Sequence, residues 1–313
     1  MKGHTAVSLH KKSVAVTLAS IVALGLSACG PVVDNAASNS SESGAASSEL
    51  TALPEVKPVA ELAARVPQEL RDSGFTVVTN PHSPPMTYVA EDGKTLVGFD
   101  LDMARAIGKV LDVKLETTEA GLDTIIPGLA ANRYTMALAT IGVTPERQKS
   151  IDFVSYYKGG QGFLATKKTD FEISKLEDLC GRRVAVSVGS VQQTALADSA
   201  GICKAAGLED YTVQPYPNNN QSVLAISSER ADVMYASISI VGYSAKQNPD
   251  VRVAGVYKRT TVAAALPKNS ALTPVVHAAV QHLMDDGTYT KILKKWGLED
   301  NAIPTAEINP ASN

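Results

Sequence analysis

Along the chain, short runs of β-branched and apolar residues alternate with stretches whose apolar positions recur every three to four residues, and each switch of period marks an element. Residues 75–79 (Phe-Thr-Val-Val-Thr) predict a first strand that runs into a proline-rich loop. Parallel α/β sheets bind ligands at the carboxyl ends of their strands, so positions just after residue 79 are candidates for function. Residues 88–99, with Glu91-Asp92-Gly93-Lys94 at the tip, predict a hairpin. Asp100 is then expected to cap a helix running to Leu111, with Ala104, Ile107 and Leu111 on one face. A strand at 113–117, a helix at 123–132 and a strand at 136–139 complete a βαβ rhythm, which implies a parallel sheet covered by helices.

A second copy of the rhythm follows: a strand at 184–188, a helix from Ser190, a strand at 211–214, a helix at 219–228 and a strand at 232–235. Residues 256–266 then read as a return to the first unit, followed by helices at 273–286 and 288–296. The expectation is an α/β protein of two lobes, each a mainly parallel sheet flanked by helices. Two chain crossings, near 162–167 and 255–263, would form the hinge. Lobe one is expected at 51–166 plus 256–300, lobe two at 167–255, and a tail at 301–313.

The N-terminal residues belong to neither lobe. Lys2, Lys11 and Lys12 precede an apolar run over 14–26 that is short for a bilayer span, and small residues follow. Residues 1–28 therefore predict a secretory signal peptide. Its end, Leu26-Ser27-Ala28-Cys29, looks like a bacterial lipobox, which would make Cys29 a lipidated first residue anchored at a membrane surface without spanning it. Residues 29–50 are rich in Ser, Ala, Asn and Gly, cannot build a core, and read as a flexible tether.

Composition narrows the partners. The formal charge of −3 becomes −6 once residues 1–28, with three lysines and no acid, are removed. An acidic body offers no basic stripe for nucleic acid. With Cys29 assigned to lipid, Cys180 and Cys203 remain in an exported chain and are expected to pair as a disulfide, closing a loop that would contribute roughly 3 kcal/mol. Free thiols or a metal site are the alternatives, and no His or further Cys lies near them in sequence.

The stretch Ile141-Gly142-Val143-Thr144-Pro145-Glu146-Arg147 carries the chemistry. Thr144 reads as an N-cap and Pro145 as the first helical residue. Free N–H groups and the positive end of the helix dipole favour an anion there, and Arg147 can add a bidentate fork, so a small carboxylate is the expected ligand.

This stretch does not stand alone. Upstream lie Pro84-Pro85-Met86, Gly98-Phe99-Asp100-Leu101-Asp102-Met103 and 122–129 (Leu-Asp-Thr-Ile-Ile-Pro-Gly-Leu), and downstream Ile151-Asp152-Phe153-Val154-Ser155-Tyr156-Tyr157. In that order and spacing, from about Phe75 to Gly297, the chain resembles the family 3 extracytoplasmic solute-binding proteins of ABC importers, which mostly bind polar amino acids. The resemblance implies a type II periplasmic-binding-protein fold, usually monomeric, that delivers its ligand to two permease subunits and a cytoplasmic ATPase. It implies no cofactor. It also implies that Arg147 and the backbone of Gly142 hold the ligand carboxylate, with Thr140 adding its hydroxyl. Ser190 caps a lobe-two helix whose Val191 and Gln192 N–H groups reach the same carboxylate. Grip from both lobes would couple binding to closure.

Other positions depart from the family pattern. Ser83 stands where an aromatic lid is common, Met86 where a later aromatic is usual, and Leu122 where Trp or Phe often occurs. Asn80, at the end of the first strand, is a candidate for the ligand's distal group. In amino-acid binders of the family an acid accepts the ligand ammonium five residues after the position of Asp232, and here that place is Ser237. A buried ammonium with no carboxylate partner is costly, by several kcal/mol. The expected ligand therefore lacks a free primary ammonium, or another acid neutralises it. Asp232 and Trp296 read as structural. An exported dehydratase-like enzyme and a ligand-sensing subunit for a membrane receptor are the rival readings. GxSxG, HExxH and P-loop motifs are absent from the sequence.

Overall fold

Eleven strands carry the fold: β1 (Phe75–Thr79), β2 (His82–Ser83), β3 (Thr87–Val89), β4 (Leu96–Val97), β5 (Leu115–Glu119), β6 (Met136–Gly142), β7 (Ile151–Thr166), β8 (Arg183–Ser187), β9 (Thr212–Tyr216), β10 (Val233–Ser237) and β11 (Val251–Pro267). The structure, a computed structural model, describes residues 52–311. The expected signal peptide, the tether and the lipidation site Cys29 lie outside the described residues. No described helix is long and apolar enough to cross a membrane.

Eight strands form a sheet in the order β5-β1-β6-β11-β7-β10-β8-β9. In one half, β1 lies parallel between β5 and β6; in the other, β8 lies parallel between β9 and β10. These parallel strands are covered by helices, which explains why β1, β6 and β8 are almost continuously apolar and buried rather than alternating. The hairpin of β3 and β4, with β2 beside it, forms a small separate sheet at the first loop.

The long strands β7 and β11 join the halves. They pair antiparallel from Ile151↔Pro267 to Thr166↔Val251, with register shifts at Val253/Gly255, Val256/Arg259 and Val262/Ala263. β6 flanks this ribbon in lobe one and β10 in lobe two. Gly162 to Leu164, within the expected first crossing, and Gln161 just before it already pair with β10. The chain therefore reaches lobe two earlier than expected, because one sheet runs through both lobes and β7 passes along it without a break in its buried pattern.

Lobe one has the larger core, built around Phe75, Phe99, Met103, Tyr156, Tyr157 and the helices Thr273–Asp285 and Thr288–Trp296. Trp296 donates its Nε1–H to Asp102 at 2.9 Å and meets Tyr88 edge-on, the structural role expected of it. The C-terminal segment runs along the lobe-one part of β7: Ile308 bridges to Val154, Asn309 N–H donates to Phe153 O, and Ala306 is buried. Lobe two packs Phe163 against Tyr235 at 4.6 Å, with Leu179, Val184, Val186 and Leu196 around them. Cys180 and Cys203 lie side by side there, with Cα atoms 5.6 Å apart. Asp232 accepts three hydrogen bonds from Arg183 and ties the starts of β8 and β10 together.

One local expectation fails. Asp100 does not cap the helix Phe99–Val110; Gly98 occupies that position, with φ +136 and no side-chain cap. A Cβ on Gly98 would sit 2.2 Å from Met86 O, so the close crossing with the first loop requires glycine. The helix starts there, and Asp100 turns into the interior, fully buried.

Candidate functional site

The carboxyl ends of β1 and β6 in lobe one and of β8 and β10 in lobe two converge on one cavity of about 50 Å³. All ten positions singled out from the sequence line it: Asn80, Ser83, Leu122, Thr140, Gly142, Arg147, Ser190, Val191, Gln192 and Ser237. Their convergence follows from topology, since each follows or ends a strand at the same edge of its sheet.

Arg147 sits where the capping chemistry puts it. Thr144 Oγ1 accepts the Arg147 N–H at 3.2 Å, and Pro145 opens the four-residue helix Pro145–Gln148. From this anchor the guanidinium crosses the cavity. Nη1 donates to Gly142 O at 2.9 Å in lobe one, and Nη2 donates to Gly189 O at 2.8 Å in lobe two. Burial lowers its pKa to about 10, which leaves it a cation at neutral pH. Two neutral carbonyls compensate a buried guanidinium less well than a carboxylate does.

Opposite it, the helix Val191–Asp198 begins at the cavity. Ser190 Oγ accepts the Gln193 N–H at 3.1 Å, and Gln193 Oε1 accepts the Gly189 N–H at 2.8 Å. The Val191 and Gln192 N–H groups belong to the first turn, which has no intrahelical partners to offer them. Gly189, at φ +75, lies so close to lobe one that a Cβ there would be 2.6 Å from Asp123 Cα and 2.7 Å from Asp123 N. The lobes therefore approach each other backbone to backbone.

The remaining side chains are neutral. Asn80 donates to Ala120 O at 3.3 Å and accepts the His82 N–H at 3.3 Å, so its amide is held by backbone at the cavity wall. Ser83 Oγ accepts from Asn219 Nδ2 at 2.9 Å, a second bond between the lobes. Ser237 Oγ lies 2.9 Å from Ser239 Oγ. Leu122 and Ile240 supply apolar wall. Thr140 departs from the role expected of it: its hydroxyl donates to Asp100 Oδ2 at 2.9 Å, so what it can offer a ligand is acceptance rather than donation.

Sequence reasoning missed Asn219, Ser187, Thr260 and Val262 in the lining. Asn219 follows the N-cap Asn218 at a helix start just after a strand, the same signal that marked Ser190, and it could have been found that way. Thr260 and Val262 lie on β11, where the strand pattern alone says nothing about which residues face the other lobe. Asp100 was also missed as a neighbour of the site. Burial raises its pKa to about 6, and the hydroxyls of Tyr156 and Thr140 work against that rise.

Comparison with known proteins identifies the family. Residues 75–299 match the model of bacterial extracellular solute-binding proteins, family 3. The chain is 29% identical over 256 residues to the arginine-binding protein ArgT of Corynebacterium glutamicum, covering 80% of this chain and 84% of that one. Among solved structures, an ancestral arginine-binding protein bound to arginine superposes with a TM-score of 0.65 at 33% identity, over 71% of this chain and 97% of the other. An ancestral amino acid-binding protein described as a precursor of cyclohexadienyl dehydratase superposes with a TM-score of 0.66 at 28% identity, over 73% and 97%.

Proposed function

The chain belongs to the bacterial extracellular solute-binding proteins, family 3, and from that membership we propose that its cavity captures a carboxylate solute whose amino group, if it has one, is not a free primary ammonium. The protein is the extracytoplasmic, solute-binding component of an ABC importer, and amino acids or their derivatives are its ligand class. One observation carries the narrower reading: among the described residues lining the cavity, Arg147 is the only charged side chain. A carboxylate would take the guanidinium fork from Gly142 O and Gly189 O and meet the first-turn N–H groups at Val191 and Gln192. An arginine side chain or an α-ammonium would need an acid in the wall, and the position that supplies it in relatives is Ser237. Asp100, the acid behind Thr140, already accepts hydroxyl protons on both of its oxygens.

On this reading Arg147, Gly142, Ser190, Val191 and Gln192 hold the carboxylate, while Asn80, Ser83, Leu122, Thr140 and Ser237 line the rest of the ligand. We further propose the lobe limits given above, with Gln161 to Thr166 moved to lobe two, a Cys180–Cys203 disulfide, lipid anchoring through Cys29, a monomeric body, and delivery to permease and ATPase subunits.

The test is a thermal-shift screen of refolded residues 51–313 against standard amino acids, N-substituted and cyclic amino acids, and small organic acids. Stabilisation by ligands without a primary ammonium, and by no standard amino acid that carries one, is the expected result; stabilisation by arginine, lysine or another primary amino acid alone would overturn it. Ser237→Asp should add affinity for a common amino acid that the parent ignores.

A further inference from the structure

Thr140 is the one β-branched residue among the described residues with positive φ, at +53; the other non-glycine residues with positive φ are Asp112, Asn132, Glu229, Asn269 and Asn309. Asn and Asp visit the left-handed region with some ease, whereas a branched Cβ makes it an outlier that persists only where surrounding structure enforces it. The outlier falls where β6 loses register with β11. Ile141 pairs with Ala263 and Ala137 with Ala265, so β6 spends more residues than β11 over the same length. In this bulge and just after it the chain presents Thr140 and Gly142 to the cavity, and Gly142 O receives Arg147.

The turn is tied to a buried acid. Asp100, on the helix Phe99–Val110, is fully buried. Its Oδ2 accepts the Thr140 hydroxyl at 2.9 Å, and its Oδ1 accepts the Tyr156 hydroxyl at 2.5 Å from β7. One carboxylate thus ties the helix Phe99–Val110, the bulge of β6 and the start of the hinge strand together. A carboxylate with no local partner of opposite charge is an expensive group to bury.

We propose that Asp100 is a positioning residue of the binding cavity: through Thr140 it holds β6 in the left-handed turn that aims the backbone between Thr140 and Val143 at the ligand. The proposal rests on the reading that this cavity is the ligand site. Asp100 does not itself line the cavity. It acts on the ligand only through the strand it fixes, and glycine at position 140 would make it dispensable, because glycine adopts positive φ without an anchor.

Four proteins test this: the parent, Asp100→Asn, Thr140→Val and Asp100→Asn/Thr140→Gly. Exchange of the Val143 N–H, which bonds to Thr261 O at 3.1 Å, is followed without ligand, and affinity for L-pyroglutamate is followed by calorimetry. Asp100→Asn should speed the exchange by about tenfold and weaken L-pyroglutamate binding. Thr140→Val removes the same hydrogen bond from its other end and should do likewise, which keeps the test open if Asp100→Asn folds poorly. The double variant should recover both protection and binding, which a merely structural carboxylate would not allow. Unchanged exchange in both single variants, or faster exchange in the double than in Asp100→Asn, would overturn the proposal. Protection that is lost and recovered, with L-pyroglutamate bound by none of the four, would support the role of Asp100 and remove the ligand reading instead.

Discussion

Lobe one supplies charge and lobe two supplies neutral donors. The cation of the cavity, Arg147, is anchored in lobe one, and the buried acid Asp100 lies behind it in the same lobe. Lobe two contributes a helix start at Ser190, the amide of Asn219 and the hydroxyl of Ser237. Two acids, one from each lobe, also differ. Asp100 is buried without a cation and its pKa is raised to about 6 by desolvation, whereas Asp232 is held below the usual carboxylate range by hydrogen bonds from Arg183. On the proposed reading the labour is divided: lobe one attracts and orients the carboxylate, and lobe two completes its shell on closure. Contacts made only in the closed state are those that can drive closure.

Removing the charge breaks this division most severely. Arg147→Ala should weaken binding of whichever carboxylate stabilises the parent by at least about 3 kcal/mol, over 100-fold by calorimetry. A loss under about fivefold would mean that the charge of lobe one is not the clamp.

The contrast between the two acids sets a pH test. A raised folded pKa means that the neutral form is favoured on folding. The contribution of Asp100 to stability is therefore fully present below its unfolded pKa, near 3.8, and is lost as pH rises through about 6. Asp232 works the other way: its contribution is present above 3.8 and is lost as pH falls through its lowered pKa. Between pH 4 and 6 the parent should thus lose on the order of 2 kcal/mol relative to Asp100→Asn, measured by denaturant unfolding at each pH. A flat difference between the two proteins would show that burial does not shift Asp100.

Gly189→Ala sharpens the comparison at the point where the lobes meet. A Cβ at 2.6 Å from the Asp123 backbone, on a residue at φ +75, blocks the approach and strains the turn. Affinity should fall about tenfold, and solution scattering with saturating ligand should show a less closed particle. Ser190→Ala, with the smallest effect, should cost about 1 kcal/mol of stability through loss of the cap. A larger effect on affinity than on stability would show that the lobe-two helix start acts on the ligand.

Much of this was legible in the chain itself. The strands and helices expected from periodicity fall within a few residues of their observed ends, because parallel strands covered on both faces must be apolar along their whole length, but the helix Ile238–Gln247 and the full length of β7 were not foreseen. The caps Thr144 and Ser190 are equally local, since a hydroxyl and the N–H three residues on form the motif wherever the helix starts. Seven of the ten lining positions, Ser83, Leu122, Thr140, Ser190, Val191, Gln192 and Ser237, were named from the family resemblance, and Asn80 from its place at the end of the first strand, while Gly142 and Arg147 also follow from a capped helix start after a strand. Asn219 carries that same signal and was passed over.

The sequence by itself determined the order of elements, the helix starts and the residue types offered at the strand ends, all consequences of interactions over a few residues. The tertiary structure alone decided that Arg147 bridges to Gly189, 42 positions away, that Asn219 meets Ser83 across 136 positions, and that Asp100 abandons its cap for Thr140 and Tyr156, 40 and 56 positions away. The physical reason is that local preference among such groups amounts to about 1 kcal/mol, while leaving a buried carboxylate or guanidinium without partners costs several times more. Those partners come from whichever strand the fold brings alongside.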